Sequence, residues 1–100
     1  MAETRVTVLA RFKAKKGLED EARQAIAACL SPTRAEAGCI NYDLHRSQED
    51  EGAFILYENW TSRKALDEHL EMPYLRALKA KAPDLFSAPI DISLWEEIDC

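Results

Sequence analysis

The 100-residue sequence has no long apolar run and no excess of basic residues. Its longest apolar stretch, residues 25–30, reaches six residues only when alanines are counted, and a transmembrane helix needs about 20. Lys and Arg number 13 against 18 Asp and Glu, for a formal charge of −5, and the basic residues are scattered. We therefore expect neither nucleic acid nor a membrane as a partner.

Cysteine and histidine are also scarce, with three of the former and two of the latter. Cys29, Cys39 and Cys100 are odd in number and lack C-x-x-C spacing, which predicts reduced thiols and neither a disulfide framework nor a zinc site. Residues 1–5 lack the basic and apolar regions of a signal peptide. A cytoplasmic location without a bound metal is the resulting expectation.

The length and composition predict one folded domain over residues 1–100. Hydrophobic residues make up 47% and charged residues 31%, with only three glycines and four prolines, a composition typical of a globular chain. A chain of this length buries roughly 60–65% of its unfolded surface and has no material for a second core.

Changes of hydrophobic period predict the elements along the chain. They indicate a strand, a helix kinked at Ser31-Pro32, two strands joined by a polar hairpin, a helix capped by Thr61 or Ser62, a further helical piece after Pro73, and a last strand. The predicted ranges are residues 5–12, 18–37, 39–47, 53–60, 63–72, 74–81 and 90–98. We expect Pro83 and Pro89 to flank a loop.

The order β-α-β-β-α-β predicts the α+β, ferredoxin-like fold, an antiparallel four-stranded sheet with its helices on one face. Residue parity predicts that an apolar set of side chains meets the helices: Val6, Val8, Ile40, Tyr42, Leu44, Leu56, Trp60, Ile92 and Leu94. The opposite face has an apolar centre ringed by polar groups, which is typical of an interface. We therefore predict a homodimer formed sheet against sheet through Leu9, Ile55, Tyr57 and Trp95.

His69 and Glu58 are the two residues whose placement suggests chemistry. His69 lies in the middle of the apolar stripe of the second helix, so it is either a hydrogen-bonded core residue or a general base facing a pocket. Glu58 shares strand parity with Leu56 and Trp60, so its carboxylate faces the helices. A buried carboxylate needs a partner, either His69 or a structural arginine.

The other candidates have weaker signals. Trp60 and Tyr42 are either packing residues or the walls of a site for a flat phenolic ligand. His45 lies near the polar hairpin, where a solvated side chain is expected. The sequence contains no P-loop, no G-x-G-x-x-G and no nucleophile elbow, which leaves nucleotide and serine-hydrolase chemistry unsupported.

Three segments in register resemble one family. Residues 36–44, residues 54–62 and residues 65–70 followed by Pro73 are similar to the antibiotic biosynthesis monooxygenase (ABM) domain, and most similar to its quinol-monooxygenase-like branch. The resemblance implies a dimeric α+β barrel built from two ferredoxin-like protomers. It also implies an oxygenase that uses no cofactor and acts with O₂ on a hydroquinone or polycyclic phenol.

The resemblance implies roles for particular side chains. His69 would be the base, Trp60 and Tyr42 the walls of the substrate site, and Glu58 the partner that fixes the imidazole. The aromatic-polyketide enzymes of the family carry an Asn and a Tyr where this chain has Leu56 and Leu66, and Tyr74 stands where the quinol branch often has a second His. These three residues are the further candidates for substrate contact.

Two alternatives remain open on the sequence. The same fold hosts isomerisation of a small phosphorylated dione, for which Arg11, Arg34 and Arg76 would be the phosphate-binding candidates. It also hosts non-enzymatic binding of small ligands, and only the site distinguishes these functions.

Overall fold

A computed structural model describes residues 4–98 of the chain. Four strands and four helices follow one another: β1 (Val6–Lys13), α1 (Glu19–Ala27), α2 (Leu30–Arg34), β2 (Cys39–Arg46), β3 (Ala53–Trp60), α3 (Arg63–Leu70), α4 (Pro73–Leu85) and β4 (Asp91–Trp95). The strands form one antiparallel sheet in the order β2-β3-β1-β4. This confirms the predicted ferredoxin-like α+β fold.

The helices differ from prediction at two prolines. The first helix is two helices rather than one kinked helix, and Pro32 is the third residue of α2, where its missing N–H would have had no intrahelical partner. Pro83 lies inside the last turn of α4 instead of in a loop, so it removes only one hydrogen bond close to the end of the helix. The last strand is also shorter than predicted and ends at Trp95.

The core lies between one face of the sheet and the helices. Val8, Ala10 and Phe12 of β1, together with Phe54, Leu56 and Trp60 of β3, alternate with exposed or half-buried residues and pack against Ile26, Leu66, Leu75 and Leu78 of the helices. Ser62 begins α3 as predicted, because its hydroxyl accepts a hydrogen bond from the backbone N–H of Ala65 at 3.1 Å. Among residues 4–98, no helix is long and apolar enough to cross a membrane.

Three side chains predicted to meet the helices are half-exposed. Ile92 and Leu94 do lie on the predicted face, opposite Ala10 and Val8 in the strand register, so the parity prediction is wrong only for Ile40. Cys39 pairs with Trp60 and Asn41 with Asn59, which leaves Ile40 as the extra residue of a bulge, 44% exposed. Ile92 and Leu94 are 41% and 42% exposed because β4 is an edge strand that the helices do not fully cover.

The other sheet face has the predicted mixture of apolar and polar groups. Ile55, Tyr57 and Trp95 are exposed in the single chain, and Leu9 is half-buried. Thr7 donates a hydrogen bond to Asn59, which in turn donates to Asn41 at 2.9 Å, so the polar groups beside the apolar centre are linked. Association through this face stays a prediction.

Candidate functional site

A small, partly open cavity lies between the sheet and helices α3 and α4. Its volume is about 30 Å³, enough for roughly two water molecules. The lining is apolar except for four side chains and comprises Val8, Ala10, Phe12, Tyr42, Leu56, Glu58, Leu66, His69, Leu70, Leu75, Leu78, Lys79, Ile90 and Ile92. The charged or titratable groups that can meet a small molecule here are therefore Glu58, His69, Tyr42 and the exposed Lys79.

His69 projects from α3 toward the sheet, as its position in the apolar stripe predicted. It is 1% exposed, and its ring centroid lies 4.4 Å from that of Trp60 and 5.3 Å from that of Tyr42. Burial lowers the pKa of His69 against the opposing effect of the Glu36 carboxylate. The imidazole is therefore held neutral near pH 7, the state required of a proton acceptor.

The carboxylate that contacts the imidazole is Glu36, and the prediction that Glu58 holds it is wrong. Nδ1 of His69 lies 2.8 Å from Oε2 of Glu36, and the Tyr74 hydroxyl donates a hydrogen bond to the same oxygen. Glu36 follows α2 in the turn that leads to β2, so the predicted continuation of the helix to residue 37 is wrong. The sequence signal that could have found it is its place at the start of the ABM-like segment 36–44.

Local packing brings the Glu36 turn against α3. A Cβ added at Gly38 would lie 2.3 Å from Cβ of Ala65, so the backbone of the turn passes α3 more closely than any larger residue at position 38 would permit. The backbone N–H of Thr61 also donates to the Gly38 carbonyl at 2.9 Å. This close approach places Glu36 within reach of His69.

Glu58 is buried on β3 and pairs with its neighbour on the same strand face. It is 4% exposed, and its Oε1 accepts a hydrogen bond from Nε1 of Trp60 at 2.9 Å. Burial raises the pKa of Glu58 to about 7, the Glu36 charge adds to this, and the Trp60 hydrogen bond opposes it. Near neutral pH the group can therefore either accept or donate a proton.

The candidate substrate residues divide into two groups. Tyr42, Leu56 and Leu66 line the cavity, whereas Trp60 and Tyr74 contact His69 without lining it. Burial raises the pKa of both Tyr42 and Tyr74, so both hydroxyls remain protonated donors at neutral pH. His45 is exposed, as predicted.

None of the three arginines considered for phosphate binding lines the cavity. Arg34 donates to the Tyr42 carbonyl at 3.1 Å, and Arg76 donates to Glu71. Arg11 pairs in register with Ile55 and Asp91, on the sheet face opposite the helices. A phosphate in the cavity would therefore contact none of these three arginines.

The cysteines and possible metal ligands add no chemistry to the site. Burial raises the pKa of Cys29, and burial with the nearby Glu36 and Glu58 carboxylates raises that of Cys39 to about 11, so both are unreactive thiols near neutrality. Cys100 lies outside the described residues. In the described part of the chain, no three His, Cys, Asp or Glu residues come together as a candidate metal site.

Comparison with known proteins identifies the family. The family described as antibiotic biosynthesis monooxygenase matches residues 5–81. The chain belongs to this ABM family. The match contains Glu36, Glu58, His69 and Tyr74, so every polar residue that surrounds the imidazole lies within the family domain.

Relatives in several bacteria share the domain. Rv0793 of Mycobacterium tuberculosis, named "Putative monooxygenase", is 36% identical over 94% of this chain and 92% of its own length. Its solved structure superposes with a TM-score of 0.90 at 34% identity, covering 96% of this chain and 97% of that one. The uncharacterized protein sll1783 of Synechocystis is 30% identical over 95% of this chain, which spans 65% of that protein.

A third similarity concerns structure. The crystal structure of PA3566 from Pseudomonas aeruginosa superposes with a TM-score of 0.93 at 26% identity, covering 99% of both chains. The family match covers residues 5–81, and the structural similarity extends over nearly all of the chain, including its ferredoxin-like topology.

Proposed function

We propose that this ABM domain is a cofactor-independent monooxygenase that oxidises a hydroquinone or polycyclic phenol with O₂. The observation that carries the proposal is the buried His69, anchored by Glu36 on one ring nitrogen and bordering an apolar cavity. Family membership and the "Putative monooxygenase" name of the mycobacterial relative support the same reaction class.

The proposed first step is removal of a phenolic proton by His69. The resulting phenolate is electron-rich and transfers one electron to O₂, and the radical pair joins to form a C–O bond. A positioned general base is worth about 10²- to 10⁴-fold in rate. The apolar lining contributes by excluding water from the phenolate and the reduced oxygen.

The proposed second step completes the oxygenation. The peroxide on the ring carbon is protonated, that carbon loses its hydrogen as a proton, and the O–O bond breaks to leave a carbonyl. The departing hydroxide takes the proton from the His69 imidazolium and leaves as water. Hydroquinone and O₂ thus give a hydroxyquinone and water, with the ring supplying all the electrons. Glu58, with a pKa of about 7, is suited to give the peroxide its proton and then to recover a proton from the ring carbon.

A phenolic ring is larger than the 30 Å³ cavity, so the lining must open to admit it. The cavity reaches the edge strand at Ile92, which is 41% exposed because the helices cover β4 only in part. We place the entrance there, between α4 and β4. Glu36 does not line the cavity, so opening at this edge need not disrupt its contact with His69.

The proposed active form is a homodimer joined through the open sheet face. Tyr57 and Trp95 are 42% and 55% exposed in the single chain, and Ile55 and Leu9 extend the apolar centre between them. Burying such side chains contributes about 25 cal/mol per Å² of apolar surface. The linked Thr7, Asn59 and Asn41 side chains would form the polar rim.

The test is an oxygen-electrode assay with hydroquinones such as menadiol and with polycyclic phenols, in the presence of a metal chelator. We expect O₂ consumption above the autoxidation rate and incorporation of one ¹⁸O atom from ¹⁸O₂ into the quinone product. Thermal stabilisation by these compounds without O₂ consumption would contradict the proposal and indicate a ligand-binding protein. The isomerase alternative has no arginine at the cavity to support it.

A further inference from the structure

We propose that Glu36, whose carboxylate also accepts a hydrogen bond from Tyr74, is a positioning residue that fixes His69 as the tautomer with its proton on Nδ1. This leaves Nε2 as the atom that accepts the substrate proton. The catalytic consequence rests on the proposed function, whereas the tautomer is a property of the protein alone.

The hydrogen bonds at Glu36 determine the direction in which the protons point. One carboxylate oxygen, Oε2, meets both Nδ1 of His69 at 2.8 Å and the hydroxyl of Tyr74. An ionised carboxylate is an acceptor only, and it can accept both protons at one oxygen. The Tyr74 hydroxyl is held in place by this bond and by a weaker one to the Pro32 carbonyl at 3.4 Å.

The opposite tautomer is disfavoured by the same geometry. With its proton on Nε2, the ring would direct the Nδ1 lone pair at the carboxylate, and two acceptors would face each other at 2.8 Å. Relief would require a proton on Glu36, which would weaken the charge-assisted bond from Tyr74. Glu36 is only 11% exposed at its side chain, so water cannot easily supply the missing donor.

The remaining ring nitrogen lies on the cavity side. His69 lines the cavity and Glu36 does not, and Nδ1 is already occupied by Glu36, so Nε2 is the ring nitrogen left to meet a molecule in the cavity. Within residues 4–98, His69 makes no side-chain hydrogen bond besides the one at Nδ1. The free lone pair of Nε2 is consequently available to a hydroxyl that enters the cavity.

The direct test is ¹⁵N NMR of the imidazole in the full chain at pH 7.5, without substrate. The chain has two histidines, so His45→Ala leaves His69 as the only imidazole signal. We expect a protonated, pyrrole-type Nδ1 and an unprotonated, pyridine-type Nε2. The reverse assignment in the wild-type protein would overturn the inference, whatever the activity.

The second arm changes the positioning group. Glu36→Gln keeps the shape but replaces one oxygen by a donor, so we expect both tautomers to be populated, with Glu68→Gln on the exposed face of α3 as the matched control. If the oxygenase assay succeeds, kcat should fall about 10- to 100-fold with KM nearly unchanged. An unchanged tautomer and unchanged kcat in Glu36→Gln would overturn the inference.

The two arms separate failure of the inference from failure of the proposed function. A pyrrole-type Nδ1 that depends on Glu36, in a protein that consumes no O₂, contradicts the oxygenase and supports the positioning role. If Glu36→Gln fails to fold, Tyr74→Phe provides the second variant: it removes one donor from Oε2 and should leave the Nδ1–H tautomer in place. If His69 of the wild-type protein does not have its proton on Nδ1 at pH 7.5, the inference is overturned.

Discussion

The imidazole of His69 and the indole of Trp60 lie against each other, with ring centroids 4.4 Å apart and planes inclined by 36°. This contact links two polar pairs in the buried site. Glu58 accepts a hydrogen bond from the indole, and Glu36 meets Nδ1 of the imidazole. The two carboxylates therefore lie on either side of an aromatic pair rather than on one histidine.

Glu58 should make stability depend on pH in a measurable way. Its folded pKa of about 7 exceeds its ordinary value of 4.5, so the folded state binds more protons between these pH values and wild-type stability falls as pH rises through them. Glu58→Gln removes this pH-dependent loss of stability, and its side-chain oxygen can still accept the hydrogen bond from Trp60. We expect the variant to match wild type near pH 4 and to be more stable by up to about 3 kcal/mol above pH 7.

Urea denaturation across this pH range measures the difference between the two proteins. The lowered pKa of His69 acts in the opposite direction, because stability is lost as pH falls below its ordinary value, but it is common to both and cancels. Glu68→Gln, at an exposed position of α3, is the matched control for removing a carboxyl group. A flat difference for Glu58→Gln would show that this carboxyl titrates normally in the folded state.

A side chain at position 38 should fit only if α3 moves. The added Cβ of Gly38→Ala would lie 2.3 Å from Cβ of Ala65, so we expect a loss of about 1–3 kcal/mol in the free energy of unfolding. Ala65→Gly removes the clashing methyl group at a helix cost of about 1 kcal/mol. Denaturation should therefore show that the double variant loses less free energy of unfolding than the two single variants together. Additive losses would refute the close contact.

The sheet-face dimer should be sensitive to one buried charge. Trp95→Glu places a carboxylate in the apolar centre of the proposed interface, where desolvation without a partner is costly. We expect wild type to sediment as a dimer at micromolar concentration and Trp95→Glu as a monomer with an unchanged circular dichroism spectrum. Lys64→Glu, on the exposed side of α3, is the control that should remain dimeric. A monomeric wild type would rule out the interface.

The fold was predictable because its elements have clear hydrophobic periods and because only a few topologies accommodate β-α-β-β-α-β. His69 was predictable for the same reason, since a helix stripe fixes which side chains turn inward. The errors fall at prolines, at a bulge and at the edge of the sheet. The bulge at Ile40 shifts parity by one residue, and the edge position of β4 leaves Ile92 and Leu94 half-exposed.

The partner of His69 was not predictable from periodicity. Glu36 lies in a turn, and its contact with His69 joins residues 33 positions apart in the sequence. Parity correctly indicated that Glu58 is buried, but two side chains on the same sheet face need not touch. Glu58 instead bonds to Trp60, two residues along the same face of β3.

The most direct test of the catalytic role of His69 is the rate of O₂ consumption by His69→Ala and His45→Ala proteins with the best hydroquinone substrate, under chelating conditions. His45 is the other histidine of the chain and is exposed, so its variant controls for generic effects of removing an imidazole. We expect His45→Ala to retain the wild-type rate and His69→Ala to fall about 10²-fold or more. A folded His69→Ala protein with the wild-type rate would contradict the assignment of this residue as the base.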